Sequence, residues 1–401
     1  MVMEEHRKAL RIGLLWHTFS HGNLGVDALA CGHAILLRRA VQRVGVTAHY
    51  TSLGAGQNRL AELPGDVTNG PEPQLKQLLK GNFGFLTAIR NCDVVFDIGE
   101  GDSFTDIYGV RRFARLVGTK LAVLALGKPL IIAPQTIGPF NLPVCRRVAI
   151  AVMRRAGGVF TRDELSTAFL NECGIANAEE FIDVAFAVPV IKQAKAGDRQ
   201  RVCLNISGLL YNQSYTGKNE LGMRLDYASL THALIEEMGK RPGVEVHLLA
   251  HVSGSGGDDD DTAIMLELKR RYPSAVTAPM FKTAGQAKSY MSGMDFVVAG
   301  RMHACIGAFS AGVPVVPIAY SRKFNGLFST LKYAHYVDGK VDNAEAALGK
   351  IMAAFDARDS LAVDVDRGLT IANTRLERYV DRLVHILKYP LSEARRKVRS
   401  G

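Results

Sequence analysis

Asp295-Phe296-Val297-Val298-Ala299-Gly300-Arg301-Met302-His303 is the stretch on which the fold turns. An unbroken run of Val and Phe, rather than an alternating one, predicts a short strand buried on both faces, as in a parallel sheet covered by helices. The run ends in a glycine, a cation and a histidine, and a helical pattern, His303–Ala311, follows at once. The loop therefore leaves the carboxyl end of a strand and enters a helix, where open parallel sheets bind their ligands. Another apolar run, Pro314–Ala319, restarts the pattern.

Working outward, the same rhythm repeats in both directions. Upstream lie strands at Arg201–Ser207 and Val244–Ala250, with helices at Tyr227–Lys240, Thr262–Arg271 and Gly285–Met291. The polar stretch Ile191–Gln200 interrupts the rhythm and reads as a linker. Before it, strands are expected at Ile12–Trp16, Thr47–Thr51, Asp93–Ile98, Pro129–Ala133, Gly158–Thr161 and Phe181–Phe186. Helices are expected at Val26–Val44, Val110–Leu126, Leu142–Arg155 and Glu164–Cys173. A chain of 401 residues exceeds one ordinary core. The expectation is an α/β protein of two Rossmann-like domains facing across a cleft, residues 1–190 and 201–342, with a helical C-terminal extension over 343–401 that packs back across the first domain.

The net charge is +10 and the pI about 9.3, which suits an anionic substrate, an anionic surface or nucleic acid. Much of the excess is at Arg395, Arg396, Lys397 and Arg399, and no basic stripe is interleaved with aromatics, so nucleic acid is not expected as a partner. The six cysteines show neither CxxC pairs nor metal spacing with histidine, and read as free, buried thiols of a reducing compartment. No metal and no cofactor are expected. The run Ile12–Trp16 is too short for a signal peptide and Leu121–Ala133 is broken by Gly127, Lys128 and Pro129, so a cytoplasmic location is expected, if need be at the inner face of the membrane.

Nearly every expected strand ends in a polar, glycine-containing cluster. In the Arg301-Met302-His303 turn, the helix start favours an anion. Arg301 adds a planar donor for phosphate or carboxylate, and His303 can donate a proton near neutral pH. A plainer reading pairs Arg301 with a structural carboxylate. In Gly99-Glu100-Gly101-Asp102 the acids could bind sugar hydroxyls or act as a base, or Asp102 could simply cap the next helix. Gly22-Asn23-Leu24-Gly25 lacks dinucleotide spacing, Asp27 suits a helix start, and His17 and His21 read as loop residues. Further polar strand ends carry Gln135, Arg162, Asn205, His251, Tyr320 and Lys323. The run Asp258–Asp261 reads as a solvated cap before its helix.

These residues together resemble the polysaccharide pyruvyl transferase family. The likeness rests on Gly22–Gly25 with Asp27-Ala28-Leu29, on Gly99–Asp102, and on Gln135-Thr136-Ile137-Gly138-Pro139. It rests further on Arg162-Asp163-Glu164-Leu165-Ser166 and on Arg301-Met302-His303 followed by Gly312-Val313-Pro314 and Tyr320…Lys323. Two departures, Val26 before Asp27 and Glu100 where many members have glycine, fall on the expected acceptor side. The resemblance implies a GT-B-like fold and transfer of a pyruvyl group from phosphoenolpyruvate to two hydroxyls of a sugar, forming a ketal. The first domain would take the acceptor and the second the phosphoenolpyruvate. Arg301, His303 and Arg162 are implied as catalytic. Asn23, Asp27, Glu100, Asp102, Gln135, Asn205, His251, Tyr320 and Lys323 are expected to bind substrate. The acceptor would be a sugar or lipid-linked oligosaccharide, and the basic C-terminus could touch an anionic membrane or be a solvated helix end. Two other readings fit the same pattern: a GT-B nucleotide-sugar glycosyltransferase, and a non-catalytic anion or nucleic-acid binding protein.

Overall fold

The computed structural model describes residues 9–19, 22–53, 66–72, 81–101, 104–194, 197–212, 219, 221–254 and 259–399, with side chains as far as 388. The chain divides into two units. The first comprises the described parts of Met1–His21, Leu29–Ala187 and Thr374–Gly401, the second those of Gly22–Ala28 and Val188–Asn373. The segment Gly22–Ala28, expected with the first domain, thus clusters with the second unit.

The sheet of the first unit contains β1 (Leu10–Leu15), β2 (Ala48–Leu53), β3 (Val67–Asn69), β4 (Val94–Asp97), β5 (Leu130–Gln135), β6 (Gly158–Thr161) and β7 (Ala178–Glu180). Their spatial order is β3-β2-β1-β4-β5-β6-β7, all parallel. The second sheet contains β8 (Gln200–Ile206), β9 (Val244–Ala250), β10 (Val276–Thr277), β11 (Phe296–Ala299), β12 (Val315–Ala319) and β13 (Val337–Asp338), in the order β10-β9-β8-β11-β12-β13. Counted from its own first strand, each sheet runs 3-2-1-4-5-6, with a seventh strand added at the end of the first, so each reverses direction once, between β1 and β4 or between β8 and β11. Registers at these points pair Ile12 with Val94 and Val202 with Phe296. Crevices at such reversals, beyond the carboxyl ends of the strands, are where doubly wound sheets hold ligands.

Helices connect the strands: α1 (Leu24–Val44), α2 (Gly84–Asn91), α3 (Val110–Ala125), α4 (Pro143–Arg155) and α5 (Glu164–Glu172) in the first half. The second half has α6 (Gly208–Tyr211), α7 (Tyr227–Gly239), α8 (Asp261–Arg271), α9 (Ala284–Met291), α10 (Met302–Ser310) and α11 (Arg322–Thr330), then α12 (Ala344–Asp356) and α13 (Arg358–Arg399). Strands β4, β5, β6, β11 and β12 are buried along their whole length, as unbroken apolar runs require. Leu15, Val95, Phe113, Leu116, Ile132, Val152 and Leu170 build the first core. Ile206, Leu234, Leu248, Phe296 and Ile318 build the second, and Ile351, Phe355 and Leu361 from α12 and α13 pack into it. From Thr374 onward α13 belongs to the first unit, where Arg382 pairs with Glu179 at 2.7 Å and Arg375 with Glu180.

Phe181–Phe186, expected as a strand, is not one. The sheet takes Ala178–Glu180 instead, and Val184–Ala187 forms a 3-10 turn. Asp183 explains the turn: its carboxylate accepts from the Ala185 amide at 2.9 Å and binds Arg162. Among the described residues no helix is long and apolar enough to cross a membrane, and no group of three or more His, Cys, Asp and Glu could hold a metal ion.

Candidate functional site

In the second unit the polar strand ends meet around the Arg301 turn. Arg301 is the residue before α10 and has an extended backbone, φ −105° and ψ 130°. Its amide donates to Asn205 Oδ1 at 3.0 Å, which joins the end of β11 to the end of β8 at the sheet's reversal. Asn205 also donates to the Leu249 carbonyl at 3.1 Å, extending the tie to β9. One side chain at the end of β8 therefore sets where Arg301 and the start of α10 stand.

The Arg301 guanidinium is buried and engaged by the chain itself. Its Nη2 donates to Asp261 Oδ1 at 2.6 Å and to the Asp259 carbonyl at 2.7 Å, its Nε to Asp261 at 3.1 Å, and its Nη1 lies 2.7 Å from the Asp259 carboxylate. Asp261, expected in a solvated cap, is fully buried: besides Arg301 it accepts from the amides of Gly208 at 2.7 Å, His251 at 3.0 Å and Val252 at 2.9 Å. The helix-capping part falls to Asp260, which accepts from Thr262 at 2.8 Å. Asp258 lies outside the described residues. Burial works against the Arg301 charge, but Asp261 and Asp259 more than offset it and its pKa is raised. Burial raises the Asp261 carboxyl, with Arg301 and the amides pulling the other way.

His303 lies one residue into α10 and is half-buried. A Cβ placed on Gly25 would stand 2.5 Å from its Nδ1, so only glycine lets the first loop pass so close to this ring. Several contacts fix the loop there. Asn23 bridges to Val252, the Leu24 amide donates to the His251 carbonyl at 3.0 Å, and the Gly25 amide donates to Asn23 Oδ1 at 2.9 Å. Asp27 accepts from the Ala284 amide at 2.9 Å and is buried, which gives it a bracing role at the start of α9. His251 is fully buried, and its pKa falls to about 3 because burial opposes the charge and His303 and Arg301 add positive potential. Tyr320 is half-buried with its ring 5.1 Å from Phe324, and Lys323 stands half-buried in the first turn of α11.

In the first unit, Arg162 closes β6. It is buried, donates from Nη1 to Asp183 at 2.6 Å and from Nε to Thr136 at 2.9 Å. Thr136 donates to Asp163, whose carboxylate caps α5 through the amide and hydroxyl of Ser166 at 2.8 and 2.9 Å. Ser166 also accepts from the Ile137 amide. The Gln-Thr-Ile-Gly-Pro and Arg-Asp-Glu-Leu-Ser segments are thus one interlocked brace. Gln135 donates to Asp97 Oδ2 at 3.2 Å, and Lys120 Nζ, fully buried, lies 3.1 Å from the same oxygen. Burial lowers the Lys120 pKa, and Asp97 partly restores it. Over this pair runs Gly99–Gly101. Gly99 has φ +66° and a Cβ there would stand 2.5 Å from Gln135 Oε1. Glu100 is left-handed, φ 57° and ψ 38°, a conformation that costs of order 1 kcal/mol or more for a non-glycine residue. Asp102 lies outside the described residues.

His17, expected in a loop, is buried. Its Nδ1 faces the Leu15 carbonyl at 3.0 Å, its Nε2 faces His33 Nδ1 at 2.7 Å, and His33 Nε2 faces the Tyr379 hydroxyl at 2.8 Å. A carbonyl only accepts, so His17 carries its proton on Nδ1. The rest follows for neutral rings: His33 donates to His17, and Tyr379 donates to His33. His21 lies outside the described residues.

Sequence reasoning missed Asp97, Lys120, Asp259 and Asp261. Lys120 carried a usable signal, since it follows Leu116 by four residues and precedes Val123 by three on the apolar face of α3. Asp261 carried none, because its partner is 40 residues away.

Two doubly wound parallel sheets with polar, charge-bearing reversal points define an α/β fold of two Rossmann-like units. Solved structures agree. The chain is similar to UDP-N-acetylglucosamine 2-epimerase of Neisseria meningitidis (TM-score 0.60, 10% identity, 96% of this chain and 100% of that one). It is also similar to a putative UDP-N-acetylglucosamine 2-epimerase of Listeria monocytogenes (0.59, 12%, 95% and 97%) and to sucrose-phosphate synthase of Thermosynechococcus elongatus (0.59, 11%, 96% and 100%). At such identities the likeness shows the fold alone, that of the GT-B glycosyltransferases and epimerases. Residues 23–322 match the polysaccharide pyruvyl transferase family, and the chain belongs to that family. A curated relative, the amylovoran biosynthesis protein AmsJ of Erwinia amylovora, is 22% identical over 267 residues. The match takes in 62% of this chain and spans 61% of the length of that relative. The family and this relative are both named for work on polysaccharides.

Proposed function

We propose that the chain transfers a pyruvyl group from phosphoenolpyruvate to two hydroxyls of one sugar in an exopolysaccharide or cell-surface glycan precursor, giving a cyclic ketal and inorganic phosphate. The observation that carries this reading is the Arg301–His303 turn, which stands at the reversal of the second sheet and at the start of α10. Phosphoenolpyruvate brings a carboxylate and a phosphate, and the turn offers a permanent cation, a helix start and a titratable ring. Asp261 is sealed in, but the Asp259 side chain is 24% exposed. An incoming anionic oxygen would therefore compete with Asp259 for Arg301 and leave Asp261 in place.

His303 protonates the methylene carbon, which makes C2 electrophilic. One sugar hydroxyl attacks C2, the C–O bond to phosphate breaks, and the second hydroxyl closes the ketal. Of the two hydroxyl protons, one replaces the proton given to the methylene and the other leaves with phosphate. Lys323 is the further anion contact and Tyr320 lines the donor side. Asn205 and His251 hold the Arg301 turn from behind, and Asn23 and Asp27 hold the loop behind His303. Arg162, implied as catalytic by the resemblance, is taken up as a brace by Asp183 and Thr136. Glu100, Asp102 and Gln135 serve the acceptor. The carboxylate kept at a strained Glu100 is the candidate for receiving a hydroxyl proton. The reaction runs in the compartment that holds phosphoenolpyruvate, the cytoplasm.

The test is melting temperature with millimolar phosphoenolpyruvate, inorganic phosphate or UDP, on wild type and on Arg301→Lys. A ligand at 100 times its Kd stabilises a fold by about 2.7 kcal/mol. The expected result is a rise with phosphoenolpyruvate that exceeds the rise with phosphate and shrinks in the variant. A rise with UDP and none with phosphoenolpyruvate would sink the proposal.

A further inference from the structure

Five large apolar side chains stand exposed at one end of two adjacent helices in the first unit: Ile107, Tyr108 and Val110 at the start of α3, Leu142 and Val144 at the start of α4. Val144 is 62% exposed and Val110 53%. The two helix starts are tied together: the Asp106 carboxylate accepts from the amides of Asn141 at 2.7 Å and Leu142 at 2.8 Å, and Phe113 and Phe140 meet edge to face at 5.8 Å. The apolar residues therefore form one patch. Around it stand exposed Arg111, Arg115, Arg146 and Arg147. Neither helix contains an Asp or Glu. Among the described residues Arg111 and Arg147 have no ion-pair partner.

We propose that this face docks on an anionic lipid bilayer. Branched aliphatic side chains held clear of the fold need an apolar layer to enter, and arginines beside them need phosphates at its edge; a bilayer supplies both at the right depth. A second copy of the chain would set arginine against arginine across a two-fold contact, and a nucleic acid would offer nothing to the valines and leucine. Helices α3 and α4 follow β4 and β5, so their starts lie at the same sheet edge as Glu100 and Gln135. Docking here would bring a lipid-linked acceptor to those residues. That consequence rests on the acceptor reading above, whereas the docking itself does not.

The experiment is sedimentation of the full chain with vesicles of phosphatidylcholine alone or with phosphatidylglycerol added. The expected result is binding only to the anionic vesicles, lost at high salt. Arg111→Glu with Arg147→Glu should weaken partitioning at least about tenfold. Val110→Ser with Val144→Ser should weaken it with the charges intact. All four positions are exposed, so melting temperatures should not move. Removal of residues 394–401 should leave binding in place. Three outcomes overturn the proposal: no binding to anionic vesicles, binding abolished by the C-terminal deletion but untouched by the face variants, or a dimer that the valine pair of substitutions dissolves with vesicle binding unchanged.

Discussion

Each unit holds one pair of neighbouring histidines, and the chain treats the two pairs differently. His17 and His33 form a closed chain with Tyr379 in which a single carbonyl, that of Leu15, dictates every proton position. Burial pushes the His17 pKa down to about 3 and that of His33 well below its ordinary value. Nothing in that chain is left to react. His251 is sealed in the same way, but His303 beside it is half-buried, backed by a glycine and set next to a permanent cation. The contrast is between three histidines buried outright and one, His303, that is only partly buried, and the proposed chemistry rests on the latter.

The comparison can be broken or sharpened. His303→Gln should lower turnover about 10²- to 10⁴-fold with little change in melting temperature, measured as phosphate release at saturating donor. Turnover near wild type would erase the distinction between the pairs. Next in size, Arg301→Ala leaves Asp261 buried without its cation and should cost about 3–5 kcal/mol in denaturant unfolding. A loss much below that would mean that Asp261 is protonated or reached by water. Tyr379→Phe removes the donor to His33 and should cost about 1–3 kcal/mol, while the shift induced by phosphoenolpyruvate stays as in wild type. A change in that shift would give the sealed pair a part in binding. The smallest effect, per unit of pH, is acid sensitivity. His17, His33 and His251 are neutral when folded but take up protons near pH 6.5 when unfolded. Their contribution is complete above about pH 6.5 and falls as pH drops toward about 3, by up to about 1.4 kcal/mol per unit for each histidine. Urea midpoints that are equal at pH 7 and pH 5 would contradict this.

Much of the architecture was legible because buried parallel strands are written as continuous apolar runs, as at Val94–Asp97 and Val315–Ala319. The short strands β3, β10 and β13 have two or three residues each, too few to show a pattern. Phe181–Phe186 misled because an apolar run reads the same in a strand and in a buried turn, and the deciding contact, Asp183 with Arg162, is not local. At the candidate site, sequence brought out the residues at strand ends, Asn205, His251, Arg301 and His303, since position alone selects them. It did not separate those that face a ligand from those that brace them. Arg162, Asp163, Thr136 and Ser166 form a mutual scaffold, and Asp261 hides at the centre of a five-point junction.

The six cysteines have a practical meaning. Cys92, Cys145, Cys173, Cys203 and Cys305 are buried and Cys31 is half-buried. Burial raises the thiol of Cys92 to about 11 and that of Cys203 to about 12. Thiolate, the form that alkylating reagents attack, is therefore scarce at Cys92 and Cys203 at neutral pH, and burial keeps reagents from most of the others. A cysteine introduced at Val144 would react first, so a fluorescent or spin label could be carried on the natural background and its surroundings read directly, wet or oily, as vesicles are added.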